Sequence, residues 1–417
     1  MKVAHLCCGV NGGADIAAVR IHRTLLSAGV TSRYFHLGHS SLDETFTKFD
    51  IPRTIVSRIN HRVAINRNRI LWGNVAPGTE AFTDPVGNFT LTFDQLDFPD
   101  VDVITLHWIA AFFDLEPFFR SVPNHVKFVW ALHDLNPITG GCHYTDGCRK
   151  FETGCVQCPQ LMNNGLMDRA WRNFKIKRRV YDRHLRGRLH VVADSNWVAN
   201  MVRDSKLLGN SQVSVVNYPI ETGSFKYLGR DESRHALGLD TEKFVILFGS
   251  GSIDNKRKGM DLLIDAIMGI SNPELLSKLQ LVTFGSGEVA RHVPGISVRN
   301  FGRVTSHDFL ARLYNAADYF AMPSREEALG QTAMESICCG TPVISFATGG
   351  LLDTIDVSNG IFAESVSASA LQVAIESAFN KSFDRAGISD QARATYSYNM
   401  KAKEYLAVYN DLLSKIY

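Results

Sequence analysis

Two carboxylates in the second half of the chain have a spacing suited to binding a phosphorylated ligand. Glu327 and Glu335 are eight residues apart in REEALGQTAMESICCGTPVISFATGG, and Gly330 and Thr332 lie between them where a loop should enter a helix. A helix N-terminus offers N–H groups and a positive dipole end to a phosphate. A carboxylate within the helix can accept two hydrogen bonds from a ribose diol. The alternative is a solvated helix start with two surface glutamates.

A cluster of cations precedes another predicted helix. Lys256, Arg257 and Lys258 stand just before Gly259, after the apolar run FVILFGSGS. Cations at this position would neutralise the charge that grows on a diphosphate leaving group. An exposed basic turn is the alternative, but the position at a strand end favours binding.

The first half carries weaker signals at the ends of predicted strands. Gly12 and Gly13 follow the first strand in GVNGGAD, where a tight turn is the usual reason for glycine. His133 ends the strand VKFVWAL and His107 ends the strand before it, and a lone histidine at such a position is more often structural. The segment GVNGGAD lacks the G-x-G-x-x-G spacing, which disfavours a dinucleotide-dependent dehydrogenase.

Four cysteines fall within 17 residues, in GGCHYTDGCRKFETGCVQCPQL: Cys142, Cys148, Cys155 and Cys158. The C-x2-C pair has the spacing of a zinc knuckle, so the segment predicts a structural zinc site. Four thiolate ligands would leave the ion no open position for catalysis. Two disulfides, free thiols and an iron–sulfur cluster remain alternatives. The other four cysteines fall in strand and helix patterns and are expected in the core: Cys7, Cys8, Cys338 and Cys339.

Short apolar runs alternate with helical patterns along both halves of the chain. Strands are predicted at 2–8, 32–37, 101–108, 126–132, 189–194, 244–252, 279–287, 296–302, 317–324 and 341–346. Continuous apolar strands separated by helices favour parallel sheets covered on both faces, here as two doubly wound domains. Ligands of such sheets bind at the carboxyl ends of the strands, so the predicted site is a cleft between the domains.

Length and composition exclude several classes of protein. The chain has 417 residues, of which 45% are hydrophobic and 21% charged, so it is neither disordered nor a disulfide-rich miniprotein. A net charge of +2 is too balanced for a dedicated nucleic-acid binder. No signal peptide is evident, and no apolar stretch approaches the roughly 18 residues that span a bilayer. We therefore expect a cytoplasmic protein.

A basic amphipathic pattern at 168–188 suggests a surface for an anionic membrane, and 55–70 repeats it more weakly. In 168–188, Trp171, Phe174, Tyr181 and Leu185 recur at near-helical spacing with Arg and Lys between them. A solvated helix that packs its aromatic face on the domain is the alternative. Both hold if the basic face meets the membrane.

Several of these motifs together resemble the retaining glycosyltransferases of sequence family four, which have the GT-B fold. The similarity is carried by the Glu-x7-Glu spacing, CGTPVI, Gly349–Gly350, the KG before LLIDAI, and HDLNPITGGCHY at 133–144. The last segment looks like members that assemble colanic acid, capsule or lipopolysaccharide. The resemblance implies an acceptor domain at 1–218 with a Cys-rich loop at 140–160, a donor domain at 219–397, and a helix at 398–417 that returns to the first domain.

The resemblance also assigns roles to residues of this sequence. In the second half, the sugar would be held by Glu327 and the backbone of Ala328, Leu329 and Gly330, the diphosphate by Gln331, Thr332, Arg257 and Lys258, and the ribose by Glu335. In the first half, Gly12 and Gly13 would close over the donor phosphates and the acceptor, His133 would hydrogen-bond the sugar, and His107 would lie nearer the acceptor. The implied catalytic residues are His133, Glu327 and Lys258.

The implied reaction is hexosyl transfer from a nucleotide-sugar with retained anomeric configuration. Because the family has no evident nucleophile, the diphosphate would leave and the acceptor hydroxyl would attack on the same face, helped by positioning and charge stabilisation. No Asp-x-Asp motif stands at a predicted strand end, so no catalytic metal is expected. The implied acceptor is a lipid-linked glycan of a bacterial surface polysaccharide, reached at the inner face of the cytoplasmic membrane.

Two other function classes remain open at this point. A nucleotide-sugar epimerase or hydrolase with the same architecture would convert the donor alone. A non-catalytic glycan-binding or scaffold protein could be organised by the zinc loop. The presence of both glutamates, the lysine and His133 argues against a decayed site.

Overall fold

The computed structural model describes residues 1–37, 42–49, 73–87, 90–289 and 293–415. It forms two compact units: Met1–Tyr218 with Lys401–Tyr417, and Pro219–Met400. The basic pattern at 55–70 lies outside the described residues.

The first unit is built on a parallel sheet. Its strands in the described residues are β1 (Lys2–Leu6), β2 (Thr31–His36), β3 (Phe46–Lys48), β4 (Val103–Leu106), β5 (Lys127–Leu132), β6 (Leu189–Ala193) and β7 (Gln212–Val215). They lie in the order β3-β2-β1-β4-β5-β6-β7. The covering helices are α1 (Gly13–Ser27), α2 (Leu115–Ser121), α3 (Arg169–His184) and α4 (Asn196–Asp204).

The second unit repeats this architecture. Its strands are β8 (Phe244–Ser252), β9 (Leu279–Ser286), β10 (Ser297–Asn300), β11 (Tyr319–Met322), β12 (Val343–Phe346) and β13 (Gly360–Ala363), in the order β10-β9-β8-β11-β12-β13. The helices are α5 (Arg230–Leu237), α6 (Met260–Gly269), α7 (Pro273–Lys278), α8 (His307–Ala316), α9 (Gln331–Cys338), α10 (Ala368–Phe379) and α11 (Arg385–Tyr396). A further helix, α12 (Tyr398–Ser414), begins in this unit and continues in the first.

The predicted α/β class with two doubly wound parallel sheets is confirmed. The central strands β4, β6 and β12 are buried at every residue because both faces of each sheet are covered. The sequence did not predict β3, β7 and β13, which are three or four residues long and lie at sheet edges. An edge strand needs less apolar sequence, so its pattern is weak.

The last helix, α12, is part of the first unit from Lys401 onward. The Tyr409 hydroxyl lies 2.8 Å from the Thr105 Oγ1 on β4, and Tyr405 and Leu412 are buried beside it. The chain end thus packs on the first sheet. Within the described ranges, no helix combines the length and the apolar character that crossing a bilayer requires.

Candidate functional site

Glycines shape the loop that joins β11 to α9. Gly330 caps α9 with φ +92°, and a Cβ at this position would lie 2.6 Å from the Leu351 Cδ2. Gly349 has φ +56°, and its Cβ would lie 2.0 Å from the carbonyl oxygen of Glu327. The Gly350 N–H donates to that same oxygen at 2.9 Å. The Gly349–Gly350 pair therefore holds the backbone that carries Glu327.

Glu327, Lys258 and Arg257 form what we call the charged cluster. The Lys258 Nζ donates to the Glu327 Oε2 at 2.6 Å, and the Arg257 guanidinium donates to the same oxygen at 3.2 Å. Glu327 is only 6% exposed. The surface-glutamate and exposed-turn alternatives are therefore wrong at these positions, because each charge is held by a buried or half-buried partner.

The charged cluster determines the ionisation of its own carboxylate. Burial alone raises the pKa of Glu327, but the charges of Lys258 and Arg257 outweigh it and hold the pKa below its ordinary value. Gly259 follows with φ +80°, and a Cβ there would lie 1.9 Å from the Pro323 carbonyl oxygen. The turn after β8 and the loop after β11 are thus packed together at the carboxyl ends of neighbouring strands.

Arg325 is a cation of this region that the sequence analysis missed. Its guanidinium makes two hydrogen bonds to the Asp261 carboxylate on α6, at 2.9 and 2.7 Å. Its backbone N–H donates to the Arg257 carbonyl at 2.8 Å. It therefore fastens the glutamate loop to the basic turn. Asp261 lies in the first turn of α6. An acidic residue at a helix start was therefore the sequence signal that could have indicated a partner for Arg325.

Glu335 lies on α9 and is also buried, at 6% exposed. The Tyr314 hydroxyl on α8 donates to the Glu335 Oε2 at 3.0 Å, a partner that the sequence did not reveal. Gln331 and Thr332 are half-buried in the first turn of α9. Ala328 and Leu329 are 3% and 1% exposed, so their side chains belong to the core and only their backbone suits a ligand.

In the first unit, the glycine loop before α1 is organised by an aspartate that the sequence analysis did not select. The Gly12 N–H donates to the Asp15 carboxylate at 2.8 Å, and the Cys7 thiol donates to its other oxygen at 3.2 Å. A Cβ at Gly12 would lie 3.0 Å from that carboxylate, whereas one at Gly13 would meet no atom within 4 Å. Gly12 is thus explained by the loop itself, and Gly13 is not.

His107 and His133 belong to a continuous buried series of hydrogen bonds, which we call the histidine chain: His5, His107, His133, Tyr218 and Asp194. The successive distances are 2.8 Å between His5 Nδ1 and His107 Nε2, 3.0 Å between His107 Nδ1 and His133 Nε2, 2.8 Å between His133 Nδ1 and the Tyr218 hydroxyl, and 2.6 Å from that hydroxyl to Asp194 Oδ2. Both ring nitrogens of His133 are engaged. The sequence indicated two of the five members.

Burial keeps these imidazoles neutral. It lowers the pKa of His133 to about 4, against the opposing charges of Asp134 and Asp15. It lowers the pKa of His5 and His107 well below the ordinary value, and neighbouring histidines act in the same direction. Each ring therefore carries one proton near neutral pH.

The four cysteines of the Cys-rich loop line one pocket, whose internal space is about 10 Å³. Among the described residues, no three metal-binding side chains are placed to hold an ion. Burial raises the pKa of the Cys155 thiol to about 12 and that of the Cys158 thiol to about 11. The zinc prediction for Cys142, Cys148, Cys155 and Cys158 is therefore unsupported. The disulfide alternative is wrong, since all eight cysteines are free.

The predicted core cysteines lie where expected, with one difference. Cys7, Cys338 and Cys339 are fully buried. Cys8 is half-buried, and its thiol donates to the Ala110 carbonyl at 3.0 Å.

The basic pattern at 168–188 forms α3, which Asp168 caps through a hydrogen bond from the Trp171 N–H. Phe174 and Tyr181 are buried on its inner face, while Arg172 and Lys175 are exposed. The residues just before the helix include exposed apolar side chains: Met162 at 57%, Leu166 at 70% and Met167 at 64%. Cations and apolar side chains are thus exposed together around the start of α3.

Parts of the chain are similar to known glycosyltransferases. Residues 243–381 match the family described as glycosyl transferases group 1. The chain is 25% identical over 416 residues to the putative colanic acid biosynthesis glycosyl transferase WcaC of Escherichia coli K12, covering 96% of this chain and 97% of that protein.

Solved structures show the same architecture. Sucrose-phosphate synthase from Thermosynechococcus elongatus superposes with a TM-score of 0.67 at 17% identity over 99% of each chain. Anabaena HepE in complex with UDP and glucose gives 0.64 at 15% identity over 99% of this chain and 100% of its own. The two doubly wound units have the GT-B fold of these structures, and the segment that carries Arg257, Lys258, Glu327 and Glu335 is similar to the group 1 glycosyltransferases.

Proposed function

We propose that this protein is a retaining hexosyltransferase that moves a sugar from a nucleotide-diphosphate sugar to a lipid-linked glycan during synthesis of a bacterial surface polysaccharide. The observation that carries the proposal is the charged cluster: two cations and a buried carboxylate at the carboxyl ends of β8 and β11, inside the residues that match the family. Similarity to WcaC along nearly the whole chain supports the polysaccharide context. HepE, whose structure contains UDP and glucose, supports a nucleotide-sugar donor.

The proposal assigns donor-binding roles to residues of both units. Lys258 and Arg257 bind the diphosphate, since an ammonium has three N–H donors and can hold Glu327 together with a phosphate oxygen. Glu335, oriented by Tyr314, accepts hydrogen bonds from the ribose. The remaining proposed contacts follow the family: Gly12, Gly13, His133, Glu327, Ala328, Leu329, Gly330, Gln331 and Thr332.

The proposed chemistry needs no enzymic nucleophile. As the glycosidic bond to the diphosphate breaks, negative charge grows on the leaving phosphate, and the fixed cations stabilise it. The acceptor hydroxyl attacks from the face that the diphosphate leaves, which retains the anomeric configuration, and its proton passes to the departing phosphate. Glu327 holds the cations in place and contacts the sugar.

A nucleotide-binding screen tests the donor site. Thermal unfolding with UDP, GDP, ADP and CMP should give a rise in Tm for one base, because a ligand that binds only the native state stabilises it by mass action. Glu335→Gln and Lys258→Ala should abolish the rise. The exposed pair Glu274 and Lys278 supplies the matched controls, Glu274→Gln and Lys278→Ala, which should leave it unchanged. No rise with any nucleotide would contradict the proposal.

The same screen separates the other function classes when the nucleotide-sugar is followed over time. Transfer requires an acceptor, so consumption of the donor in its absence would indicate an epimerase or hydrolase instead. Binding without consumption, with acceptor present, would indicate a glycan-binding or scaffold protein.

The acceptor part of the proposal places the protein at the cytoplasmic face of the membrane through the start of α3. Arg172 and Lys175 supply charge for anionic headgroups, and Leu166 and Met167 supply exposed apolar surface. Binding to phosphatidylglycerol vesicles should fall in a Leu166→Ser, Met167→Ser double variant and in Arg172→Glu. Val357→Ser, which changes an apolar side chain 84% exposed in the second unit, is the control. Equal binding to phosphatidylcholine vesicles, or no effect of these changes, would contradict the membrane contact.

A further inference from the structure

The histidine chain has a direction that its hydrogen bonds determine. Tyr218 has one hydroxyl proton, and it donates that proton to the Asp194 Oδ2 at 2.6 Å. The Tyr218 oxygen must then accept from the His133 Nδ1, 2.8 Å away. His133 therefore carries its proton on Nδ1.

Neutrality extends this order to the other two rings. A neutral His133 with a proton on Nδ1 has a bare Nε2, which accepts from the His107 Nδ1 at 3.0 Å. The bare Nε2 of His107 accepts in turn from the His5 Nδ1 at 2.8 Å. The series ends at the His5 Nε2, which is buried and has no hydrogen-bond partner among the described residues. This agrees with the proton order, because a His5 Nε2 without a proton leaves no hydrogen-bond donor unsatisfied.

Nearby titratable groups are directed elsewhere. Asp134, the sequence neighbour of His133, accepts from the Trp108 indole at 2.7 Å and lies 2.6 Å from the His143 Nδ1. His22 packs edge-on against His5, but its ring nitrogens lie 2.8 Å from the Ser32 hydroxyl and 3.0 Å from the Thr45 hydroxyl. The carboxylate that orients His133 is therefore Asp194, which follows β6.

We propose that Asp194 is a positioning residue that acts through Tyr218 to fix His133, His107 and His5 in one tautomer, with the proton on Nδ1. The ring of His133 is thereby held at the carboxyl end of β5 by bonds on both nitrogens. Its effect on sugar transfer rests on the function proposed above, while the tautomer order does not.

Nitrogen NMR of the full chain tests the proposal directly. With 15N-labelled histidine, two-bond 1H–15N correlations distinguish protonated from bare ring nitrogens. In the wild-type protein the assigned signals of His133, His107 and His5 should each show a proton on Nδ1. Tyr218→Phe removes the acceptor, so at least His133 should lose this pattern, and His107 and His5 should follow. Tyr34→Phe is the matched control: its hydroxyl donates to the Gly9 carbonyl and its ring stacks near His5, outside the chain.

Three results would overturn the proposal. They are a wild-type His133 protonated on Nε2, an unchanged pattern in Tyr218→Phe, or the same change in Tyr34→Phe. The wild-type spectrum decides the tautomer even if Tyr218→Phe does not fold, and Asp194→Asn is a second variant that should disturb the same three signals. In the transfer assay, Tyr218→Phe should lower kcat about tenfold with the donor KM nearly unchanged, as expected for loss of one oriented hydrogen bond. If no transfer is found, the proposed function fails while the NMR result still decides this inference.

Discussion

The charged cluster of the second unit and the histidine chain of the first occupy corresponding places, at the carboxyl ends of parallel strands, yet they bury ionisable groups in opposite ways. Glu327 stays ionised because Lys258 and Arg257 compensate its burial. His133 is neutral because the charges of Asp134 and Asp15 offset the effect of its burial only in part. One edge thus presents cations suited to an anionic ligand, and the other presents a neutral, oriented network. Two sheets of the same type thus differ in the electrostatics of their carboxyl ends because of a few side chains.

The strongest test of this comparison removes the compensating carboxylate. Glu327→Ala removes the buried carboxylate that two half-buried cations share, and breaking a buried ion pair costs up to about 3–5 kcal/mol of unfolding free energy. Urea unfolding should show this loss. Glu274→Ala, which breaks the exposed pair with Lys278 at 2.9 Å, should cost about 0.5 kcal/mol or less. Equal losses in the two variants would show that Glu327 is not a compensated buried charge.

The second test separates the two units by pH. The pKa of both His133 and His22 is lowered from 6.5 to about 4, so the unfolded chain binds protons that the folded chain rejects between these values. Their stabilisation is complete above pH 6.5 and is lost as pH falls toward 4, on the order of 3 kcal/mol for each. Glu327, whose pKa is lowered from 4.5, keeps its contribution to stability above pH 4.5 and loses it only as the pH falls further.

Hydrogen exchange at pH 7 and pH 5 checks this order. Amide protection, corrected for the intrinsic effect of pH on exchange, should fall at pH 5 in the first unit before the second. His22→Gln should flatten the dependence, and His125→Gln, at an exposed position, should leave it unchanged. Simultaneous loss of protection in both units would contradict the contrast between them.

The smallest effect compares two glycines. Gly349→Ala should cost about 2 kcal/mol or more, because its φ is +56° and the new Cβ would lie 2.0 Å from the Glu327 carbonyl oxygen. Gly13→Ala has open space and should change stability by less than about 1 kcal/mol. If Gly13 closes over the donor phosphates as proposed, the Gly13→Ala variant should still lose transfer activity. Thermal unfolding and the transfer assay together check this, and full activity would remove Gly13 from the proposed site.

Local signals predicted the two sheets well, and the site residues less completely. The apolar runs predicted every central strand, but they did not predict β3, β7 and β13, because these edge strands have only a weak apolar pattern. The Glu-x7-Glu spacing selected Glu327 and Glu335, whereas Tyr314 could not be found because its bond to Glu335 crosses between two helices. The clustered cysteines came together around one pocket, yet their spacing did not supply a metal-binding arrangement.

The sequence by itself determined the α/β class, the two doubly wound halves, the basic turn and the pair of glutamates, because these depend on periodicity and short spacing. Only the tertiary structure decided which charges meet and which rings stay neutral. Lys258 and Glu327 are 69 residues apart, and Tyr218 and His133 are 85 apart. Parallel strands bring such residues to one edge, and burial then sets their protonation. Neither effect leaves a local trace in the sequence.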